Sequence, residues 1–228
     1  MKPILLLHGA LATKSQFDAL TPLLSGLQVH TMNFSGHGGN PIPLTGYTFD
    51  TFADDILHYI DKHHIDKIGL FGYSMGGYAA LYFAKKYPTR VERIFTLNTK
   101  FNWDPLTTAK ETALLNAEKM LEKVPNYAQY LMIQHGMNIW KQVLQQTESM
   151  MNNLAQHVVL VEDDYKQIEC PVIIGACDKD TTATLSENLH IYQLLPHAGF
   201  FVLPNTPHPF DKVNLTILST QIQLFFQS

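Results

Sequence analysis

The chain has 228 residues, 46% of them hydrophobic, and a formal net charge of −4. That length supports one well-packed domain, with room for a subdomain inserted into it, rather than two independent domains. The charge balance, with no cluster of lysine and arginine, argues against a surface that reads nucleic-acid phosphates.

Lys2 to Leu7 reads as a hydrophobic strand of the buried, parallel kind and runs straight into His8-Gly9-Ala10-Leu11. The opening MKPILLLHGALA imitates a secretory signal, but only Ile4 to Leu7 are continuously apolar, too few for the hydrophobic part of such a signal. No later stretch is long enough to cross a bilayer, so a cytoplasmic protein with no membrane partner is expected. Ser15 to Ser25 carries Phe17, Leu20, Leu23 and Leu24 at helical spacing, and Leu27 to Phe34 reads as a second strand. Strand, helix, strand implies a parallel unit. After the loop Ser35 to Pro41, Tyr47 to His63 predicts an amphipathic helix with Phe52, Ile56, Tyr59 and Ile60 on one face. His63 and His64 at its end lack the i, i+4 spacing and the third ligand of a metal site, and no metal or cofactor is expected.

The centre of the chain is KIGLFGYSMGGYAALYFAKKYP, Lys67 to Pro88. Lys67 to Phe71 predicts a short buried strand and Tyr78 to Tyr87 a helix closed by Pro88, with GYSMGG between them. A glycine-rich turn can contain G-x-S-x-G by chance, but here the serine lies between a buried strand and an alanine-rich helix. Such a turn must be very tight, its glycines sit where side chains would collide with neighbouring backbone, and Ser74 is pushed out as a candidate nucleophile. The backbone N–H of Met75, in the first turn of the helix, faces the same space.

Val91 to Leu97 is another strand, and the alternation stops at about Asn98. Residues 100–163 hold no convincing strand, only helical patterns such as Thr107 to Lys123 and Tyr127 to Met151, punctuated by Pro125. The rhythm resumes with the strand Pro171 to Ala176, continues through the helix Ser186 to Leu195 and the strand Gly199 to Leu203, and ends in a helix over Asp211 to Phe226. The expected organisation is therefore an α/β core domain, residues 1–99 and 164–228, interrupted after its fourth recognisable strand by a helical insert, residues 100–163. Cys170 and Cys177 bracket a predicted strand, about 23 Å apart if it is regular, so they cannot pair with each other. Two unpaired cysteines fit a reducing compartment.

A serine hydroxyl is a poor nucleophile near neutral pH and needs a base within hydrogen-bond reach, and the base needs a group that orients it. His208, in LPNTPHPF, follows the last strand directly and lies at the carboxyl edge of the sheet, where Ser74 emerges. None of the other ten histidines has this placement. Pro207 and Pro209 stiffen its loop, and Pro209 is placed to begin the final helix. The acid also belongs at a strand end, where CDKDTT offers Asp178 and Asp180.

The order Ser74, Asp, His208 resembles the α/β-hydrolase superfamily, in which the nucleophile occupies a G-x-S-x-G elbow and acid and base follow in that order. The resemblance covers nearly the whole chain. HGALA at 8–12 is similar to the family's His-Gly oxyanion loop, and NFSGHGGN at 33–40 to its D-x-x-G-H-G-x-S loop, with Asn33 in place of the aspartate. It implies an α/β-hydrolase fold with a mostly parallel central sheet and a helical cap formed by the insert. It also implies a Ser74, Asp180, His208 triad, with the N–H groups of Ala10 and Met75 as oxyanion donors. Asp180 is chosen because counting along the family's P-V-x-x-x-x-G-x-x-D pattern from Pro171 ends on it. The chain departs from the family at Pro207, where a glycine usually precedes the histidine.

The insert holds Trp103 and Trp140 and the methionines Met120, Met132, Met137, Met150 and Met151. Leu11, Trp103, Trp140 and Met137 are expected to line the substrate pocket, in a roof favouring small to medium apolar groups. The expected activity is hydrolysis of a small-molecule carboxylic ester or thioester. Other activities of the superfamily are alternatives: C–C bond hydrolysis, a menaquinone-pathway lyase, or ligand binding without turnover. The lyases carry an arginine directly after the double glycine, whereas this chain has Tyr78. The sequence does not indicate an oligomeric state.

Overall fold

The computed structural model describes residues 1–228. Six strands form one sheet: β1 (Pro3–Leu7), β2 (Gln28–Thr31), β3 (Ile68–Tyr73), β4 (Val91–Leu97), β5 (Val172–Cys177) and β6 (Ala198–Leu203). Their spatial order is β2-β1-β3-β4-β5-β6, and every neighbouring pair is parallel. Ile4 to Leu7 and Ile68 to Phe71 are buried throughout, as expected for central strands covered on both faces. Side chains alternate between the faces. Leu5, Leu7 and Leu70 join one apolar cluster with α1 (Phe49–Lys62) and α2 (Met75–Lys86). Ile4, Leu6 and Phe71 join a second cluster with α9 (Leu215–Gln227), including Ile222 and Phe226.

From β1 the chain moves out to β2, then returns to the other side of β1 for β3 and proceeds through β4 to β6. The reversal opens a crevice at the carboxyl ends of β1 and β3, the place where open α/β sheets bind ligands. His8 to Leu11 leave β1 there, and Ser74 leaves β3.

Between β4 and β5 run α3 (Pro105–Thr112), α4 (Ala117–Lys123), α5 (Pro125–His135), α6 (Trp140–Gln156) and the short α7 (Glu162–Lys166). Helix α6 buries Val143, Leu144, Thr147, Met150 and Leu154, spaced three, four and seven apart so that they fall on one face. Pro125 occupies the first turn of α5, where its missing N–H costs nothing. The buried apolar side chains of these helices belong to the same cluster as Leu5 and Leu70. The segment α8 (Leu185–Leu194) links β5 to β6.

Four predicted elements differ from the structure; two are helical patterns that are broken, Thr107 to Lys123 by the 3₁₀ turn Ala113–Leu115 between α3 and α4, and Tyr127 to Met151 at Gly136 between α5 and α6. Ser15 to Ser25 is not an α-helix but two short 3₁₀ stretches, Lys14–Phe17 and Thr21–Leu23. Pro22 lacks the N–H that an α-helical turn would use, and Phe17, Leu20 and Leu24 still reach the core. The final helix begins at Leu215 rather than Asp211, capped by the Asn214 side chain, which accepts from Ile217 N–H at 3.1 Å. Pro209 therefore does not open that helix; it precedes a 3₁₀ turn, Phe210–Lys212.

Candidate active site

The turn after β3 is as tight as its glycines suggest. A Cβ on Gly76 would stand 2.0 Å from the Leu7 carbonyl oxygen, and one on Gly72 would stand 2.4 Å from the Gly76 oxygen. Neither position accepts a side chain. Ser74 itself has φ 51 and ψ −118, a conformation that costs a non-glycine residue about 1–3 kcal/mol. Its N–H donates to the Leu97 carbonyl of β4 at 2.9 Å, which anchors the strained residue to the sheet.

Ser74 Oγ lies 3.3 Å from His208 Nε2. His208 Nδ1 donates to Asp180 Oδ2 at 2.6 Å. The Asp180 side chain is fully buried, and its other oxygen accepts from the N–H groups of Thr182 and Ala183, each at 2.8 Å. Asp178 points elsewhere: it is exposed and accepts from Thr206 N–H at 3.1 Å. Backbone N–H donors, Asn205 first, hold its carboxyl below the usual range. Of the two candidate acids, Asp180 is thus the one bonded to His208. The hydroxyl of Tyr73, kept protonated by burial, donates to the His208 carbonyl oxygen and pins the histidine loop to the elbow.

Ala10 and Met75 both border the cavity beside Ser74, and neither backbone N–H takes a partner within the protein. The neighbouring Gly9 N–H is occupied by Gln16 Oε1 at 3.0 Å, which fixes the loop. Two buried histidines brace it from behind. His8 donates from Nδ1 to the Gly9 carbonyl at 2.8 Å and accepts at Nε2 from Phe34 N–H at 3.2 Å. His135, on α5, donates from Nε2 to the Leu11 carbonyl at 3.0 Å and accepts at Nδ1 from Gly38 N–H at 3.1 Å. Each accepts with one ring nitrogen, so each must be neutral. Burial pushes the His8 pKa down to about 4, and lowers those of His37 and His135 as well. Asn33 ties the G-H-G loop to this network, its carboxamide oxygen accepting from Lys14 N–H at 2.7 Å.

Ser74 and His208 open onto a cavity of about 960 Å³. Leu11 and Trp103 line it, together with Leu115, Met120, Tyr127, Tyr130, Met150 and Met151. Trp140 and Met137 do not. Trp140 is 3% exposed and begins α6 with its ring in the apolar core, while Met137 is 76% exposed at the tip of the turn that joins α5 to α6. Met132 is only packed against the core from outside the cavity. Composition could not separate these roles, which depend on the side of each helix that faces the sheet. Gln16, Tyr73 and His135 escaped the sequence reading because their partners lie on other elements. Tyr73 alone gave a local sign, standing directly before Ser74.

Residues 2–136 match the alpha/beta hydrolase fold family. The chain belongs to that family. It is 27% identical over 235 residues to an sn-1-specific diacylglycerol lipase of Danio rerio, an alignment covering 90% of this chain and 72% of the relative. It is 35% identical over 97 residues to a pimeloyl-[acyl-carrier protein] methyl ester esterase of Aromatoleum aromaticum, covering 42% of this chain but only 36% of that protein. A thermophilic esterase from Thermogutta terrifontis has a similar structure, with a TM-score of 0.79 at 19% identity over 100% of this chain and 90% of the esterase. At that identity the likeness concerns the fold. The α/β-hydrolase assignment accounts for the strand order, the elbow after β3 and the position of His208 after β6.

Proposed function

We propose that the chain is a serine hydrolase that cleaves a carboxylic ester, or a thioester, of a small to medium and largely apolar substrate. The observation that carries this reading is the unbroken line of contacts from buried Asp180 through His208 to Ser74, opening onto an apolar cavity. In the proposed cycle His208 Nε2 takes the Ser74 proton as Oγ attacks the carbonyl carbon. The free N–H groups of Ala10 and Met75 hold the oxyanion, Met75 with help from the start of α2. His208 then protonates the departing alcohol or thiol and activates a water that releases the acid. Asp180 keeps the imidazole proton on Nδ1 and stabilises the imidazolium. Helices α3 to α6 act as the cap, and their apolar side chains select the substrate. The activities of the related lipase and methyl ester esterase support ester cleavage.

A dicarboxylate-processing lyase is less well supported, since neither arginine lies in the cavity, whose basic side chains are Lys100 and His208. No helix is long and apolar enough to cross a membrane. A cytoplasmic location is proposed on the two unpaired cysteines. The test is a panel of p-nitrophenyl esters of increasing acyl length with the purified chain and its Ser74→Ala variant. Turnover of short and medium esters, lost by at least about a thousandfold in the variant, is expected. Equal rates for the two proteins contradict the proposal.

A further inference from the structure

The cavity lining is mostly apolar, but besides Gln16, Ser74, His208 and Asp211 it carries two buried charged residues. Lys100, three residues beyond β4, and Glu111, in the last turn of α3, both line it. They are 6% and 9% exposed, unusual burial for charged side chains that are not fully paired. The Lys100 ammonium donates to the Thr182 carbonyl at 3.0 Å and stands 3.9 Å from Glu187 Oε2. Glu187 is itself engaged, by Phe101 N–H at 2.9 Å and the Thr184 hydroxyl at 3.1 Å. An ammonium has three donors, so Lys100 retains donors beyond the one that Thr182 takes. Glu111 is less satisfied still: no hydrogen bond or ion pair within the protein engages its carboxylate. Its neighbour Lys110 reaches the Thr181 carbonyl at 3.4 Å, beside the Thr182 carbonyl that Lys100 holds. Lys100 and the residue preceding Glu111 thus reach adjacent carbonyls of the loop that carries Asp180.

A carboxylate that lines a cavity with no protein partner leaves its oxygens free to accept from whatever occupies that cavity. The ligand group has to suit both residues. An anion is repelled by Glu111 and a cation by Lys100, whereas a hydroxyl donates to one and accepts from the other. We propose that Lys100 and Glu111 form a polar subsite for a hydroxyl-bearing portion of the substrate, so that the preferred esters are those of polyhydric alcohols. This rests on the ester-hydrolase reading above and narrows its substrate class. Glu111 accepts from the hydroxyl and Lys100 donates to it, while the apolar wall holds the acyl chain.

The test compares butyrate esters matched in heavy-atom number: 2-hydroxyethyl against propyl, and 4-hydroxybutyl against pentyl. The ratio of kcat/KM within each pair is measured for the wild-type chain, Glu111→Leu and Glu111→Gln; comparing ratios between proteins cancels the esters' intrinsic reactivity. Replacing Glu111 strands no protein partner, so both variants are expected to fold, as circular dichroism would check. The hydroxylated ester should lose about tenfold relative to its partner in Glu111→Leu, at one length or both, and less in Glu111→Gln, which keeps an acceptor. Unchanged ratios at both lengths overturn the subsite, as does a wild-type preference for butyrylcholine over the hydroxylated esters. If the wild-type chain cleaves none of these esters and takes no fluorophosphonate label, the hydrolase reading fails first and the subsite with it. A labelled enzyme with unchanged ratios refutes the subsite alone.

Discussion

Asp180 and Asp178 are two residues apart, yet only one is in a position to work with His208. Asp180 places one oxygen on His208 Nδ1 and spends the other on two backbone N–H groups, so its orientation is fixed. Asparagine at 180 would present either an N–H₂ or a carbonyl to Nδ1, losing the charge that favours the imidazolium in the proposed cycle. Asp180→Asn is expected to lower kcat by about a thousandfold or more, and Asp178→Asn by less than about fivefold. Steady-state kinetics on one ester decides this, and the reverse ranking would move the acid. His8 gives a second prediction, about stability. Unfolded histidine takes a proton near pH 6.5, but folded His8 does not until about pH 4, because burial opposes its charge and Nε2 already accepts from Phe34. The unfolded chain therefore binds more protons across that window, and stability falls as pH drops through it, by about 3 kcal/mol in full. Urea unfolding between pH 6.5 and 5 should show a steeper fall for wild type than for His8→Asn; equal slopes would show that His8 is not the source. Of these residues, Ser74, Asp180 and His208 were legible from motif and strand-end placement. The bonds that join His8 to Phe34 and His135 to Leu11 were not, because those partners lie 26 or more positions away.

At the level of elements, the elbow is where sequence and geometry agree most closely. Gly72 and Gly76 are required by backbone contacts under 2.5 Å, and the motif announces both. The strained φ of Ser74 leads to a prediction that contacts alone would miss. Glycine normally costs stability relative to alanine, but at a positive φ it relieves strain that alanine keeps. Ser74→Gly should therefore be at least as stable as Ser74→Ala, by up to about 1 kcal/mol. Thermal unfolding of the two variants checks this, and a clearly higher Tm for the alanine variant would mean that the turn is relaxed in solution. The elements around 14–23 and 209–214 were harder to read. Helical spacing of Phe17, Leu20 and Leu24 is equally compatible with 3₁₀ turns that bury the same residues, and a cap by Asn214 competes with the proline signal at Pro209.

For the whole molecule, the alternation of strands and helices made the parallel sheet legible, since each crossover returns the next strand in the same direction. The facing of helices α3 to α6 was not legible, because their apolar residues face both a cavity and a core. On α6 Met150 fills the first role and Trp140 the second, and nothing in their neighbourhoods along the chain distinguishes them. The arrangement brings the end of β1, the elbow after β3, the loop after β5 and the loop after β6 to one edge of the sheet, beneath those helices. The central claim is that this edge makes Ser74 a nucleophile. Intact-mass spectrometry after treatment with a fluorophosphonate tests it most directly. One adduct per chain, mapped to the peptide containing Ser74 and absent from Ser74→Ala, is the predicted result; a wild-type chain that cleaves esters yet gains no mass, or is labelled elsewhere, would contradict it.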